Sequence, residues 1–267
     1  VAVIAQFRHP SNLANDEIRS GDVRINVLRF MLLLLALSVT IGPVHAQRVR
    51  SVRPPVRLLW IGAHPDDEGL VAPIFGPACV EHGNDCAIII LTNSSAVRAA
   101  EAQRAAAALH ARLIQWDLPD VLDVSLWGDR AALVARLAST IAAESPTRIY
   151  TFDPWHGSSC HPAHREAGRL TLDAVATLGA NAPAVVLVET LIERDAQSRI
   201  VGFGPATPSA SAIDATNSWH YLVDDAAIHE SQFDAEQIAL LRAVAPEERR
   251  VWVLPSNEPP GGIAGCP

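Results

Sequence analysis

A short, largely apolar run with a polar cluster fused to its end constrains this chain more than any other feature. Val56-Arg57-Leu58-Leu59-Trp60-Ile61-Gly62 is followed at once by Ala63-His64-Pro65-Asp66-Asp67-Glu68. The run has the length of a strand buried on both faces, and its glycine marks where the strand ends. The polar cluster therefore lies at a strand's carboxyl end, where open α/β sheets hold their ligands. One imidazole and three carboxylates within five residues are costly to hold together unless something neutralises them, and a divalent cation does so. A solvated helix N-terminus accounts for Glu68 alone, since acidic groups are favoured there, but not for the whole cluster.

The rest of the chain repeats this alternation. Strands are expected at 56–62, 86–92, 112–116, 147–152 and 184–191, with helices near 67–82, 97–111, 128–144 and 163–178. Such a pattern predicts an α/β fold: a single Rossmann-like domain with a mostly parallel sheet, helices on both faces and a site at the carboxyl ends of the strands. Residues 202–218, rich in Gly, Pro, Ser, Ala and Thr, read as a long surface loop that helps shape substrate entry. A helix over 225–244 and a strand over 250–254 close the domain, followed by a Pro- and Gly-rich tail.

A second polar cluster follows the strand 147–152: Asp153-Pro154-Trp155-His156-Gly157-Ser158-Ser159-Cys160-His161-Pro162-Ala163-His164. Pro162 suits a first helical turn, and His161 and His164, three apart, can share a face of that turn. His64 and Asp67 on one loop-helix junction, with His161 and His164 on another, offer enough ligands for an open, catalytic metal site. Such a site takes three protein ligands and leaves a position for water.

With these motifs in hand, the chain resembles the PIG-L/LmbE-like zinc-dependent de-N-acetylases, which remove acetyl groups from N-acetylglucosamine-type substrates. Ala63-His64-Pro65-Asp66-Asp67-Glu68 matches that family's opening signature, and His161-Pro162-Ala163-His164 its second, with Ala163 in place of the usual Asp. Arg98-Ala99-Ala100-Glu101, Leu118-Pro119-Asp120 and His229-Glu230-Ser231-Gln232 are further matches in the same order. The resemblance implies that His64, Asp67 and His164 bind the metal and that Asp66 is the general base. It makes His161 the group assisting at the oxyanion or the leaving amine, and Arg98 a substrate contact. Zinc is implied by the family; two His and one carboxylate also suit Fe(II). Asp153 is a candidate substitute for the missing Asp and, with Trp155, a candidate substrate contact. Trp155 either stacks on a sugar face or covers the core, and His156 is a candidate fourth polar contact. The loop 91–98 lacks the Gly-rich stretch of many members. Two other readings stay open: a metal-dependent amidase acting on a non-sugar amide, and a non-catalytic glycan-binding member of the fold.

The remaining histidines have duller readings. His82 precedes Gly83 at a helix end, where a cation suits the dipole, and His110, on the Ala-rich helix 97–112, reads as a surface or a packing residue. His220 and His229 sit near the C-terminal helix in hydrogen-bonding roles.

Composition narrows the remaining classes. The chain has no lysine, which excludes a Walker-A, Schiff-base or kinase-type lysine. Its net charge is −8, and residues 1–46 carry four Arg against three acidic groups, a net +1, so the remainder carries −9. This is no phosphate-backbone binder. Arg24 and Arg29, the apolar run Phe30–Ile41 and the small residues around Ala46 read as an export signal cleaved after Ala46, with an upstream extension before about Val23. The domain is thus expected over 47–267, periplasmic or secreted, with a small-molecule or glycan N-acetyl substrate and no stable membrane insertion after cleavage. Cys79, Cys86, Cys160 and Cys266 form an even set, which in an exported chain points to disulfides. Cys79 with Cys86 would close a short span and Cys160 with Cys266 would tie the tail to the active loop, but the four allow three connectivities.

Overall fold

The computed structural model describes residues 56–197, 199–256 and 266. The expected export signal, upstream extension and cleavage site lie outside the described residues.

Strand β1 (Arg57–Gly62) is the centre of the molecule, and Leu59, Trp60 and Ile61 are fully buried. β2 (Asp85–Thr92), β3 (Ala111–Leu118), β4 (Arg148–Phe152) and β5 (Ala184–Val188) lie parallel with it. β6 (Thr190–Arg194) and β7 (Ile200–Pro205) form a separate antiparallel hairpin, whereas β8 (Ser211–Asp214) and β9 (Arg250–Pro255) extend the main sheet antiparallel. The seven-stranded order is β3-β2-β1-β4-β5-β9-β8. Strands buried on both faces need no alternation, hence the continuous Ala87-Ile88-Ile89-Ile90-Leu91 of β2. The order reverses between β1 and β4, so the loops leaving these two strands diverge around a crevice at their carboxyl ends. Both polar clusters occupy those loops.

The major helices are α1 (Ala72–Phe75), α2 (Ala96–Ala108), α3 (Arg130–Glu144), α4 (Pro162–Thr177), α5 (Trp219–Ile228) and α6 (Ala235–Ala243). Four sequence expectations need correction. The helix expected at 67–82 is a broken path: a 3₁₀ turn at Asp67–Leu70, then α1, then π-type turns at Gly76–Glu81. Pro73 and Pro77 lack the N–H groups a regular helix uses. The strand expected at 184–191 breaks at Glu189, and its second part leaves the main sheet. The loop expected at 202–218 carries most of β7 and all of β8, whose glycine and small-residue content hides the strand pattern. The helix expected at 225–244 is the end of α5 and all of α6. A turn at His229–Phe233 separates them, and a capping box restarts the chain, with Asp234 accepting from Gln237 N–H and Gln237 accepting from Asp234 N–H.

Both cysteine pairs are disulfides, Cys79–Cys86 and Cys160–Cys266. The first ties the end of the π-type turns to β2. The second joins the tail to the residue preceding His161.

Candidate metal centre

The turn after β1 is folded by Asp67. Its Oδ2 accepts the backbone N–H groups of Ala63 at 2.8 Å and His64 at 2.7 Å, which turns the chain back and leaves Oδ1 facing the crevice. There Oδ1 lies 3.1 Å from His164 Nε2. Across the switch point, Pro162 opens α4 and the His161 side chain caps it, Nδ1 accepting from Ala163 N–H at 3.2 Å. One turn on, His164 donates from Nδ1 to Gly157 O at 2.8 Å and stacks on Phe152 with centroids 4.2 Å apart. Its Nε2 is thereby left as a lone pair aimed into the crevice.

Opposite it, at 2.9 Å, stands His64 Nδ1, while His64 Nε2 is turned toward Asp120 Oδ1 at 3.4 Å. A neutral His64 with its proton on Nδ1 donates to the His164 Nε2 lone pair. With that proton on Nε2 instead, two ring nitrogens and a carboxylate oxygen converge with no donor among them, a set that a cation would hold together. Burial alone would lower His64, but Asp67 outweighs it and raises its pKa. Burial alone would raise Asp67, yet His164 and His64 hold it well below the usual carboxylate range. His164 Nε2 lies 2.9 Å from His64 Nδ1 and 3.1 Å from Asp67 Oδ1, and His64 Nδ1 lies 3.7 Å from the other oxygen of that carboxylate, Oδ2. Donors about 2.0–2.1 Å from one tetrahedral ion would stand about 3.4 Å apart, so the donor set fits a transition-metal ion. A nitrogen of His161 also comes within 4.8 Å of the two other histidines.

Asp66 adopts φ 110°, a region non-glycine residues rarely visit. Glu68 Oε2 accepts its N–H at 3.2 Å, and Arg98 Nη2 donates to its Oδ1 at 3.1 Å. Burial, and then the Asp67 charge, push Asp66 up to about 7, within the range of a general base working near neutrality. Burial, with His164 and His64, brings His161 down to about 4, so its ring is neutral. Because Nδ1 accepts from Ala163, the proton sits on Nε2.

The PIG-L family profile, described as GlcNAc-PI de-N-acetylase, matches residues 59–175. Residues 59–175 are a PIG-L family domain. Among solved structures, the N,N'-diacetylchitobiose deacetylase of Pyrococcus horikoshii superposes with a TM-score of 0.55 at 17% identity, over 90% of this chain and 95% of that one. The 4-carboxy-2-hydroxymuconate hydratase of Pseudomonas putida KT2440 gives 0.57 at 17% identity, over 78% and 99%. The A40926 pseudoaglycone deacetylase gives 0.51 at 20% identity, over 76% and 97%. No curated protein sequence matches this chain. At these identities the structural likeness speaks for the fold.

Arg98 lines the cavity but also braces it, with Nη1 donating to Asp120 Oδ2 at 2.9 Å and Nη2 to Pro65 O at 2.7 Å. Asp120 is thus a site residue that the sequence motif contains but to which sequence reasoning assigned no role. Trp155 and Asp153 do not line the cavity, contrary to their expectation as substrate contacts. Trp155 is half-buried against the core. Asp153 is fully buried and accepts the backbone N–H groups of Trp155, His156 and Gly157. It therefore shapes the loop whose Gly157 carbonyl orients His164, one step further out than the missing Asp would act. His156 is buried against Asp153, with Nδ1 3.2 Å from Oδ1.

The motif outside the domain packs behind it. His229 Nε2 lies 2.9 Å from Glu68 Oε1, and Glu101 Oε1 accepts Ser231 N–H at 2.9 Å. Asp225, buried beside this pair, was not legible as a site residue; burial, then the charge of Glu68, raise its pKa well above the usual range. Burial alone would lower His229, but Glu68 outweighs it and raises its pKa.

Proposed function

We propose that this protein is an exported, zinc-dependent hydrolase that removes the N-acetyl group from an N-acetylglucosamine-type sugar or glycoconjugate. The PIG-L domain supports the reaction class, de-N-acetylation. A hydratase shares the fold, so the fold alone does not carry the reaction. The observation that carries it is the approach of His64 Nδ1 and Asp67 Oδ1 to His164 Nε2, with Asp66 and His161 lining the same crevice.

His64, Asp67 and His164 would hold a divalent cation, which would supply Lewis-acid polarisation of the amide carbonyl and a nucleophile at neutral pH. Asp66, held in place by Arg98 and by its own N–H to Glu68, takes the proton of the attacking water and delivers it to the amine nitrogen as the C–N bond breaks. His161 donates from Nε2 to the oxygen on which charge develops, its neutral ring preset by the helix cap. Arg98 and Asp120 keep the loops after β1 and β3 together, so these groups are preorganised before substrate arrives.

Export is supported by the two disulfides, which persist in oxidising compartments. Among the described residues no helix is long and apolar enough to cross a membrane.

The test is metal content of the purified protein together with acetate release over a panel of N-acetylated sugars, for wild type and Asp66→Ala. One equivalent of metal in both, with release only by wild type, is expected. No metal in wild type refutes the centre; metal without release from any amino sugar refutes the reaction.

A further inference from the structure

We propose that the cavity beside the metal centre is a subsite for a hydrocarbon group carried next to the scissile amide. The substrate is then an amphiphilic N-acylated amine and not a bare amino sugar. This rests on the hydrolase reading above and deepens it.

The cavity, of about 260 Å³, has two unlike sides. Its polar side is built within residues 59–175 by His64, Asp66, Asp67, Arg98, Asp120 and the α4 histidines. Its other side comes from chain beyond that domain. Ile192, Ile200 and Phe203 come from the β6–β7 hairpin, Leu222 from α5, Phe233 from the turn after it, and Leu241 from α6. Ile200, Leu222 and Leu241 are anchored in the core, so the wall is fixed, while Ile192, Phe203 and Phe233 are half-buried and show faces to the opening. Phe203 is held edge-on to the buried Trp219, with ring centroids 5.2 Å apart.

Arg194 at the hairpin's end and buried Asp225 are the charged groups on that side. A sugar ring pressed against this wall would lose water from its hydroxyls and find few partners, at a cost for each unpaired group. Alkyl or aryl surface loses nothing of that kind and gains from leaving water. The two sides meet at the metal centre, so a molecule spanning both must have its amide at the junction of a polar and an apolar part. That apolar part is either the acyl chain or a group on the amine, and the chemistry of the wall is the same for both.

The experiment measures binding of reaction products, which needs no turnover. The protein as purified is titrated calorimetrically with methyl, butyl, hexyl and octyl glucosaminides, and separately with acetate, butyrate and hexanoate. One series should tighten by roughly fourfold per added methylene until the cavity is filled, and which one does so identifies the side that carries the chain. Ile192→Asn and Phe233→Asn, checked by thermal melting, should flatten that series. Affinities flat within about twofold in both series, or a second sugar binding better than an alkyl group of equal size, would overturn the subsite. Release of acetate, butyrate and hexanoate from the matching N-acyl glucosamines is assayed in parallel. Release with flat binding keeps the hydrolase and removes the subsite; a steep series without any release supports the subsite and removes the hydrolase.

Discussion

Gly168 lies one turn after His164 on α4, on the same face of the helix. A Cβ there would meet Phe152 O at 2.3 Å, with Phe152 C and Pro154 N at 3.2 Å. All three are backbone atoms, two from the last residue of β4 and one from the loop leaving it, and none can swing aside as a side-chain tip can. For Gly168→Ala to reach ordinary contact, near 3.4 Å, α4 must retreat from β4 by about 1 Å. Such overpacking costs about 1–3 kcal/mol, partly offset by about 1 kcal/mol of better helix propensity. The expected net loss of stability is small. The catalytic effect is not, because α4 carries His164 and is capped by His161. A displacement of about 1 Å in such groups costs about 10²-fold in rate.

The assay is kcat/KM for acetate release together with metal content and a thermal melt. Gly179→Ala is the control. Gly179 has φ 59° and nothing within 4 Å of its Cβ position, so alanine there costs about 1–2 kcal/mol of backbone strain without touching the site. The expected result is a comparable melting shift in both variants and a loss of activity and metal affinity in Gly168→Ala alone. Equal activity in the two variants would falsify the claim that close approach of α4 to β4 positions the centre.

Four further outcomes are expected. Chelation should lower the melting temperature, since an ion at about 1,000 times its Kd adds about 4 kcal/mol to the folded state; an unchanged melt after verified metal removal speaks against the centre. His229→Ala leaves Glu68 buried without its partner and should cost about 3–5 kcal/mol in chemical denaturation, whereas a loss below about 1 kcal/mol contradicts the pairing. Replacing Cys160 and Cys266 by serine should cost about 4–5 kcal/mol and the Cys79/Cys86 pair about 2–3 kcal/mol, following loop length; only the former should lower activity, because Cys160 adjoins His161. Asp225 keeps its proton in the folded state far above the unfolded value of about 3.9, so the stability it contributes is present in acid and declines as pH rises through its folded pKa. Asp225→Asn should flatten that decline in urea-denaturation midpoints between acid and alkaline buffers; an unchanged slope counts against a protonated Asp225.

The features that sequence reading recovered are those governed by local chemistry. A both-faces-buried strand announces itself as an apolar run, and β1, β2 and β4 are such runs. The loop at the end of each must then start a helix or a turn, so His64, Asp67, His161 and His164 could be placed at the sheet's carboxyl ends before their distances were known. What escaped depends on contacts between distant segments. Asp120 faces the site only because β3 lies two strands from β1 and Arg98 reaches across to it. Asp225 faces it because α5 packs over the turn at Gly69, where Asp225 Oδ2 stands 2.8 Å from where a Cβ would be. Nothing within a few residues of either marks that role.

The same distinction explains the errors over 202–218 and 225–244. There the chain is held by neighbours: the β6–β7 hairpin by its mutual pairing, and α5 and α6 by the core beneath them. Local propensity carries little of that information. The polar half of the crevice is therefore legible from motifs, because its chemistry demands particular residue types at fixed spacings. The apolar half demands only shape and hydrophobicity, which many sequences satisfy, so its residues leave no motif. If the wall does select the substrate, changes confined to residues 190–243 should alter which amide is cleaved while leaving the metal centre intact, and product-binding affinities of hairpin variants would reveal it.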